Sequence, residues 1–169
     1  MIHRMLGNLL KWVNVLSFYY PYRQDWSSVL EYLNYSLNGE QMVCSMTTQL
    51  FHIPVTRNLK GNSEMHNHLV PASYHRVTAV GCAKRLQNGE SHDSIIKAMV
   101  ACVNNGSKQD KEVTKWLAVM RENAPSEYKG FMDSVINWQR QAEQSLAYTQ
   151  QLLRGMGFDT ESENGEPAY

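Results

Sequence analysis

The stretch EYKGFMDSVINWQRQAEQSLAYTQQLLR, residues 127–154, is the longest part of the chain with an unbroken helical pattern. The residues that would face a core step by three and four positions, which places them on one side of a helix. They are Tyr128, Phe131, Val135, Trp138, Ala142, Leu146, Thr149 and Leu153. This spacing approaches a heptad repeat, so we expect the helix to pack lengthwise against other helices.

Outward from this helix, the same kind of pattern predicts five or six more. They cover about 2–18, 28–37, 40–51, 72–87, 93–103 and 107–122, with Tyr74, Val77, Val80 and Leu86 facing the core in the fourth. Asn38-Gly39, Asn88-Gly89 and Gly106 are expected to end helices, since glycine accepts the left-handed backbone of a helix terminus. The predicted fold is therefore all-α, an irregular bundle of about six or seven helices.

Two segments lack a helical pattern. Residues 52–72 are polar and contain Pro54, Gly61 and Pro71, which predicts a long loop. Residues 155–169 carry four acidic side chains and no Lys or Arg, which is typical of a disordered tail. We therefore expect one helical domain over 1–154, followed by an acidic tail.

Composition narrows the class of protein. The chain has 169 residues, 43% of them hydrophobic, and no net charge, which suits one soluble domain rather than a strongly basic DNA-binding protein. Its three cysteines are far apart, without a CxxC pair, which favours a reducing, cytoplasmic setting. No uninterrupted run of 18 apolar residues is present, so no membrane span is expected.

Three histidines, His66, His68 and His75, lie close together in sequence. An HxH pair on a strand could supply two metal ligands on one face, so a metal-dependent enzyme is one alternative. No HExxH or comparable ligand spacing accompanies the pair. We interpret these histidines as polar loop residues and expect no metal site, no cofactor and no catalytic residue.

Basic residues follow the same region. Arg57 and Lys60 fall in the predicted loop, and Arg76, Lys84 and Arg85 in the helix after it. Side chains of this type contact nucleic-acid phosphates, so the five are candidate nucleic-acid-binding residues. They also fit a solvated helix face that keeps the domain soluble.

Aromatic residues concentrate in WVNVLSFYYPYRQDW, residues 12–26. Clustered Tyr and Trp are typical of the anchors of protein interfaces, although the same residues could fill a core. The candidate partner-binding residues are Trp12, Tyr19, Tyr20, Tyr22 and Trp26.

These features favour a non-enzymatic helical binding module that contacts a partner protein within a larger assembly, with nucleic acid as a second candidate partner. In size and build, including the closing helix around Trp138, the chain resembles the small helical subunits of CRISPR effector complexes. That likeness of fold class implies work as one subunit among several. The alternative is a small regulatory or inhibitory protein, of the phage or plasmid type, that binds one protein target through its aromatic N-terminal surface.

Overall fold

The computed structural model describes residues 26–158, which form four α-helices. They are α1 (Trp26–His52), α2 (Asn62–Gln87), α3 (Asp93–Asn123) and α4 (Ser126–Gly155). Each helix packs against its sequence neighbours, and α4 closes the ring by packing against α1. Short connections make neighbouring helices antiparallel, so this part of the chain is an up-and-down four-helix bundle.

The all-α prediction is confirmed, but the predicted number of helices is wrong for the described residues. Gly39 and Gly106 lie inside α1 and α3 instead of ending helices. A Cβ atom at Gly39 would lie 3.1 Å from the Cβ of Ala142, and one at Gly106 would lie 3.4 Å from Cδ2 of Leu146. Both glycines serve close contact with α4, so two pairs of predicted helices are continuous. The predicted helix at 2–18 lies outside the described residues.

The connection between α1 and α2 is shorter than the loop predicted for 52–72. It covers 53–61, and α2 begins at Asn62 and contains Pro71. A proline within a helix leaves the carbonyl four residues earlier without its usual N–H donor. That carbonyl belongs to Asn67, an exposed residue, so water can replace the missing donor.

Side chains of this connection bind the free carbonyl groups at the end of α1. The Thr56 hydroxyl donates to the carbonyl of Leu50 at 2.8 Å, and Nε of Arg57 donates to the carbonyl of Phe51 at 3.0 Å. The last carbonyls of a helix have no partner within the helix, so these bonds stabilise its end. They also fix where the chain turns towards α2.

The other two turns lie where the sequence predicts them. Gly89 has a φ of 94°, and the amide of Glu90 donates back to the carbonyl of Arg85 at 3.0 Å. This is the bonding expected when glycine ends a helix. Ala124 and Pro125 alone connect α3 to α4.

The buried residues of α3 and α4 repeat at intervals of three and four, as in a coiled coil, and those of α1 and α2 do so with a few extra buried neighbours. They form two hydrophobic clusters. The first lies near the start of α1 and contains Leu33, Leu86, Met99 and Leu146. The second lies near its end and contains Leu50, Met65, Leu117 and Met132. Polar side chains occupy the buried positions between the two clusters.

The heptad pattern of α4 is confirmed in its second half, where Ala142 and Leu146 are buried. In the first half, Met132 and Gln139 are buried in place of the predicted Phe131 and Trp138, which are only partly buried. The amide of Gln139 hydrogen-bonds within the core, so a polar residue can occupy a core position there.

No helix in residues 26–158 is long and apolar enough to cross a bilayer.

Candidate functional site

A layer of polar side chains crosses the middle of the bundle. It contains one residue from each helix, namely Glu40 of α1, Arg76 of α2, Asp110 of α3 and Gln139 of α4, and we call this set the polar layer. All four are at most 3% exposed. Buried charged groups are rare and costly unless they are paired, so their contacts decide what this layer does.

Arg76 is the centre of the polar layer. Its Nη1 donates to Oε1 of Glu40 at 3.0 Å, and its Nη2 donates to Oδ2 of Asp110 at 2.6 Å. Its Nε donates to the Ser36 hydroxyl at 2.8 Å, and that hydroxyl donates to the carbonyl of Ala142 at 2.7 Å. A single guanidinium thereby connects all four helices by direct or relayed hydrogen bonds.

Gln139 extends the network along α4. Its Nε2 lies 3.3 Å from Oδ1 of Asp110 and 3.3 Å from Oε1 of Glu143. The Thr114 hydroxyl also donates to Glu143. Two oxygens, Oε2 of Glu40 and Oε1 of Gln139, are buried and meet no partner at hydrogen-bond geometry within residues 26–158. The network is therefore only partly satisfied, and each unpaired oxygen costs free energy because it has lost its contact with water.

Burial, together with the charges around it, makes Glu40 a weaker acid than usual. One guanidinium faces two carboxylates, so the polar layer carries a net negative charge when both are ionised. Burial raises the pKa of Glu40 to about 7; Arg76 acts in the opposite direction, and Asp110 raises the pKa further. Close to neutral pH, the layer therefore passes between a neutral and a negatively charged state.

The polar layer is sealed from solvent, since the side chains of Arg76 and Glu40 are 0% and 1% exposed. A substrate could reach these groups only if the helices separated. The layer is therefore suited to fixing the alignment of the helices rather than to chemistry on a ligand. The prediction that Arg76 contacts a phosphate backbone from a helix surface is wrong, because its guanidinium lies in the core.

The other candidate nucleic-acid-binding residues are exposed but do not meet. Arg57 and Lys60 lie before α2, whereas Lys84 and Arg85 lie in its last turn. At 1.5 Å per residue, more than about 30 Å of helix separates the two pairs. Arg85 also forms an ion pair with Glu90 at 2.8 Å. The structure brings together no single basic patch from these residues.

Of the candidate partner-binding aromatics, only Trp26 lies within the described residues. It is 8% exposed, and its ring stacks on that of Phe158 with centroids 5.9 Å apart. Trp26 is therefore part of the first hydrophobic cluster, and its prediction as a surface anchor is wrong. Trp12, Tyr19, Tyr20 and Tyr22 lie outside the part of the chain that the structure describes.

The histidines lie on α2, not in a loop. The ring of His66 packs 5.0 Å from that of Phe51, and its buried Nε2 has no hydrogen-bond partner among the described residues. Nδ1 of His68 lies 2.8 Å from Oε1 of Gln109. Burial lowers the pKa of His66 and of His75, and Arg76 lowers that of His75 further. Residues 26–158 contain no group of three or more His, Cys, Asp or Glu placed to hold a metal ion.

An apolar stripe runs along the outer side of α2. Val70, Tyr74 and Val77 are 66%, 68% and 54% exposed, and the exposed Gly81 follows them. We call these four residues the α2 stripe. The sequence pattern places Tyr74 and Val77 in the core, which is wrong, because Ala72, Arg76 and Ala79 occupy the buried positions of this helix. The sequence does contain a signal for this stripe, because positions 70, 74, 77 and 81 form a series with heptad spacing beside the buried series of α2.

Comparison of the chain with protein families, with curated proteins and with solved structures found no match.

Proposed function

We propose that the chain is a helical binding module that docks a helix of a partner protein on the α2 stripe. The observation that carries the proposal is the exposure of three large apolar side chains in succession on one helix face. Val70, Tyr74 and Val77 each expose more than half of their surface. Scattered apolar residues are normal on a protein surface, whereas a contiguous row is typical of an interaction site.

The spacing of the α2 stripe favours a helix as the bound element. Its residues are separated by four, three and four positions, which is the spacing of a helix that packs against another helix. Gly81 has open space around the position of a Cβ atom, so a partner backbone can approach closely there. From Val70 to Gly81 the stripe spans about 16 Å, or three helical turns.

Contact with nucleic acid is supported less well. Arg76 is buried in the polar layer, and the exposed pairs Arg57/Lys60 and Lys84/Arg85 lie at opposite ends of α2. Phosphate binding of useful strength needs several cations along one path. A protein partner is therefore the better supported part of the predicted module.

The proposal is tested by site-specific photocrosslinking. A photoreactive phenylalanine derivative replaces Tyr74 in the full chain, and the protein is irradiated in extract of its native host. We expect one dominant protein adduct, with the crosslinked peptide of the partner mapping to an amphipathic helix. A matched probe at Val55, which is 60% exposed in the turn after α1, should give no such adduct.

Purified partner then allows a direct measurement. Val70→Ser with Val77→Ser should weaken binding at least tenfold, whereas Val55→Ser with Met42→Ser should leave it unchanged. If Tyr74 crosslinks only to a second copy of the chain, to nuclease-sensitive material or to nothing, the proposed function is wrong. Circular dichroism on each variant establishes that the bundle is intact.

A further inference from the structure

A groove runs along the surface between α1 and α4, on a face that does not include the α2 stripe. Its volume is about 450 Å³, within the range of small-ligand and peptide sites. Gly39 lies at its floor, where it packs closely against Ala142. The missing side chain at Gly39 brings the two helices together and leaves the side chains beyond them to form the walls.

Aromatic rings dominate these walls. Tyr32, Tyr35, Trp138 and Tyr148 all line the groove. The Tyr32 ring lies 5.3 Å from that of Tyr148 and 6.2 Å from that of Tyr35, with interplanar angles of 33° and 72°. The Tyr35 hydroxyl donates to Glu31 at 3.0 Å, which holds that ring in place although it is 54% exposed.

Uncharged amides supply the polar part of the groove. Asn38, Gln141 and Gln144 line it, and their side chains form no hydrogen bond within residues 26–158. None of the described residues that line the groove carries a formal charge. Three amide groups that can donate N–H bonds therefore stand beside four aromatic faces.

We propose that this groove binds a proline-rich segment in the polyproline II conformation. Such a segment has no internal hydrogen bonds, so its carbonyl groups point outward and can accept from the amides. Its proline rings pack on aromatic faces, and its preformed shape reduces the entropy lost on binding. Neutral walls suit this uncharged ligand.

Other occupants use the groove less completely. An α-helix satisfies its own carbonyl groups, so it would leave the amides of Asn38, Gln141 and Gln144 without acceptors. An oligosaccharide would also stack on the rings, but the described residues that line the groove offer its hydroxyl groups only neutral acceptors, which bind more weakly than carboxylates. An anion would need a cation, and none of the described residues that line the groove carries a positive charge.

The test is a titration of the isotopically labelled full chain with decaproline, followed by nuclear magnetic resonance. We expect saturable shifts of the Trp138 indole N–H and of the side-chain amides of Gln141 and Gln144. Tyr148→Ala and Gln144→Ala should each weaken binding at least fivefold. Val55→Ser is the matched surface control and should leave the affinity unchanged.

The outcomes separate clearly. Absence of shifts up to millimolar decaproline, equal shifts with a glycine-serine decapeptide, or stronger shifts with maltohexaose would each overturn the proposal. Thermal melting shows whether a variant remains folded, and the exposed Gln144 is a position where substitution should not disturb the core. The pair Val70→Ser and Val77→Ser should not affect decaproline binding, so failure at the α2 stripe and failure at the groove are distinguishable.

Discussion

Replacing Arg76 by methionine should cost about 3–5 kcal/mol of unfolding free energy. The guanidinium makes hydrogen bonds to Ser36, Glu40 and Asp110, and its side chain is 0% exposed. Methionine has a similar length but no charge, so the two carboxyl groups would lose their partner within the core. Removing one member of a buried ion pair typically costs this amount because the remaining charge stays buried.

Urea denaturation followed by circular dichroism measures this loss. Lys84→Met is the matched control, since Lys84 is an exposed cation on the same helix and its loss should change stability by less than about 0.5 kcal/mol. Adding Glu40→Leu and Asp110→Leu to Arg76→Met should restore most of the stability, because no unpaired charge then remains. If Arg76→Met were as stable as Lys84→Met, the buried network would be refuted.

Three further perturbations test the charge of the polar layer, the close approach of α1 and α4, and the packing of Trp26. The folded state raises the pKa of Glu40 from 4.5 to about 7, so ionising this carboxyl group opposes folding. The unfolding free energy of the wild type should therefore fall relative to that of Glu40→Gln by up to about 3 kcal/mol as the pH rises from 4.5 through 7. Urea titration at each pH measures this difference, and parallel stability curves for the two proteins would contradict it. Gly81→Ala should stabilise the protein by about 1 kcal/mol, because alanine favours a helix more than glycine does. Gly39→Ala should be about 1–3 kcal/mol less stable than Gly81→Ala, because its methyl group meets Ala142. Thermal melts compare the two variants, and equal melting temperatures would count against the close contact between α1 and α4. Trp26→Ala should lower stability by about 3–5 kcal/mol, since the indole is buried against Phe158; a change below 1 kcal/mol in denaturant titration would argue for a surface role.

The helical class and the boundaries near Gly89 and Pro125 are predictable because they depend on local chemistry. The roles of Gly39 and Gly106 cannot be predicted from local chemistry, because glycine can either end a helix or allow two helices to touch. Only the packing of α4 against them distinguishes the two roles. Pro71 is a similar case, since the carbonyl that loses its donor belongs to the exposed residue Asn67, which makes the proline tolerable inside α2.

The buried position of Arg76 shows how far the candidate site can be predicted from the sequence. Arginine is usually exposed, so a solvated or phosphate-binding face was the natural expectation. A signal was nevertheless present, because Glu40, Arg76, Asp110 and Gln139 each occupy a core position within the spacing of their helix. What the spacing does not give is the alignment of the four helices, and that alignment places the residues at one level.

The stacked rings of Trp26 and Phe158 place both ends of the described chain at one end of the bundle. A pulling force applied through residues 26 and 158 would therefore not slide α1 along α4. It would peel the two helices apart from that end, breaking their contacts one turn after another. Because only a few contacts break at a time, we expect residues 26–158 to open at a lower force along this axis than when α1 slides along α4, with the hydrogen bonds of Arg76 resisting at the midpoint.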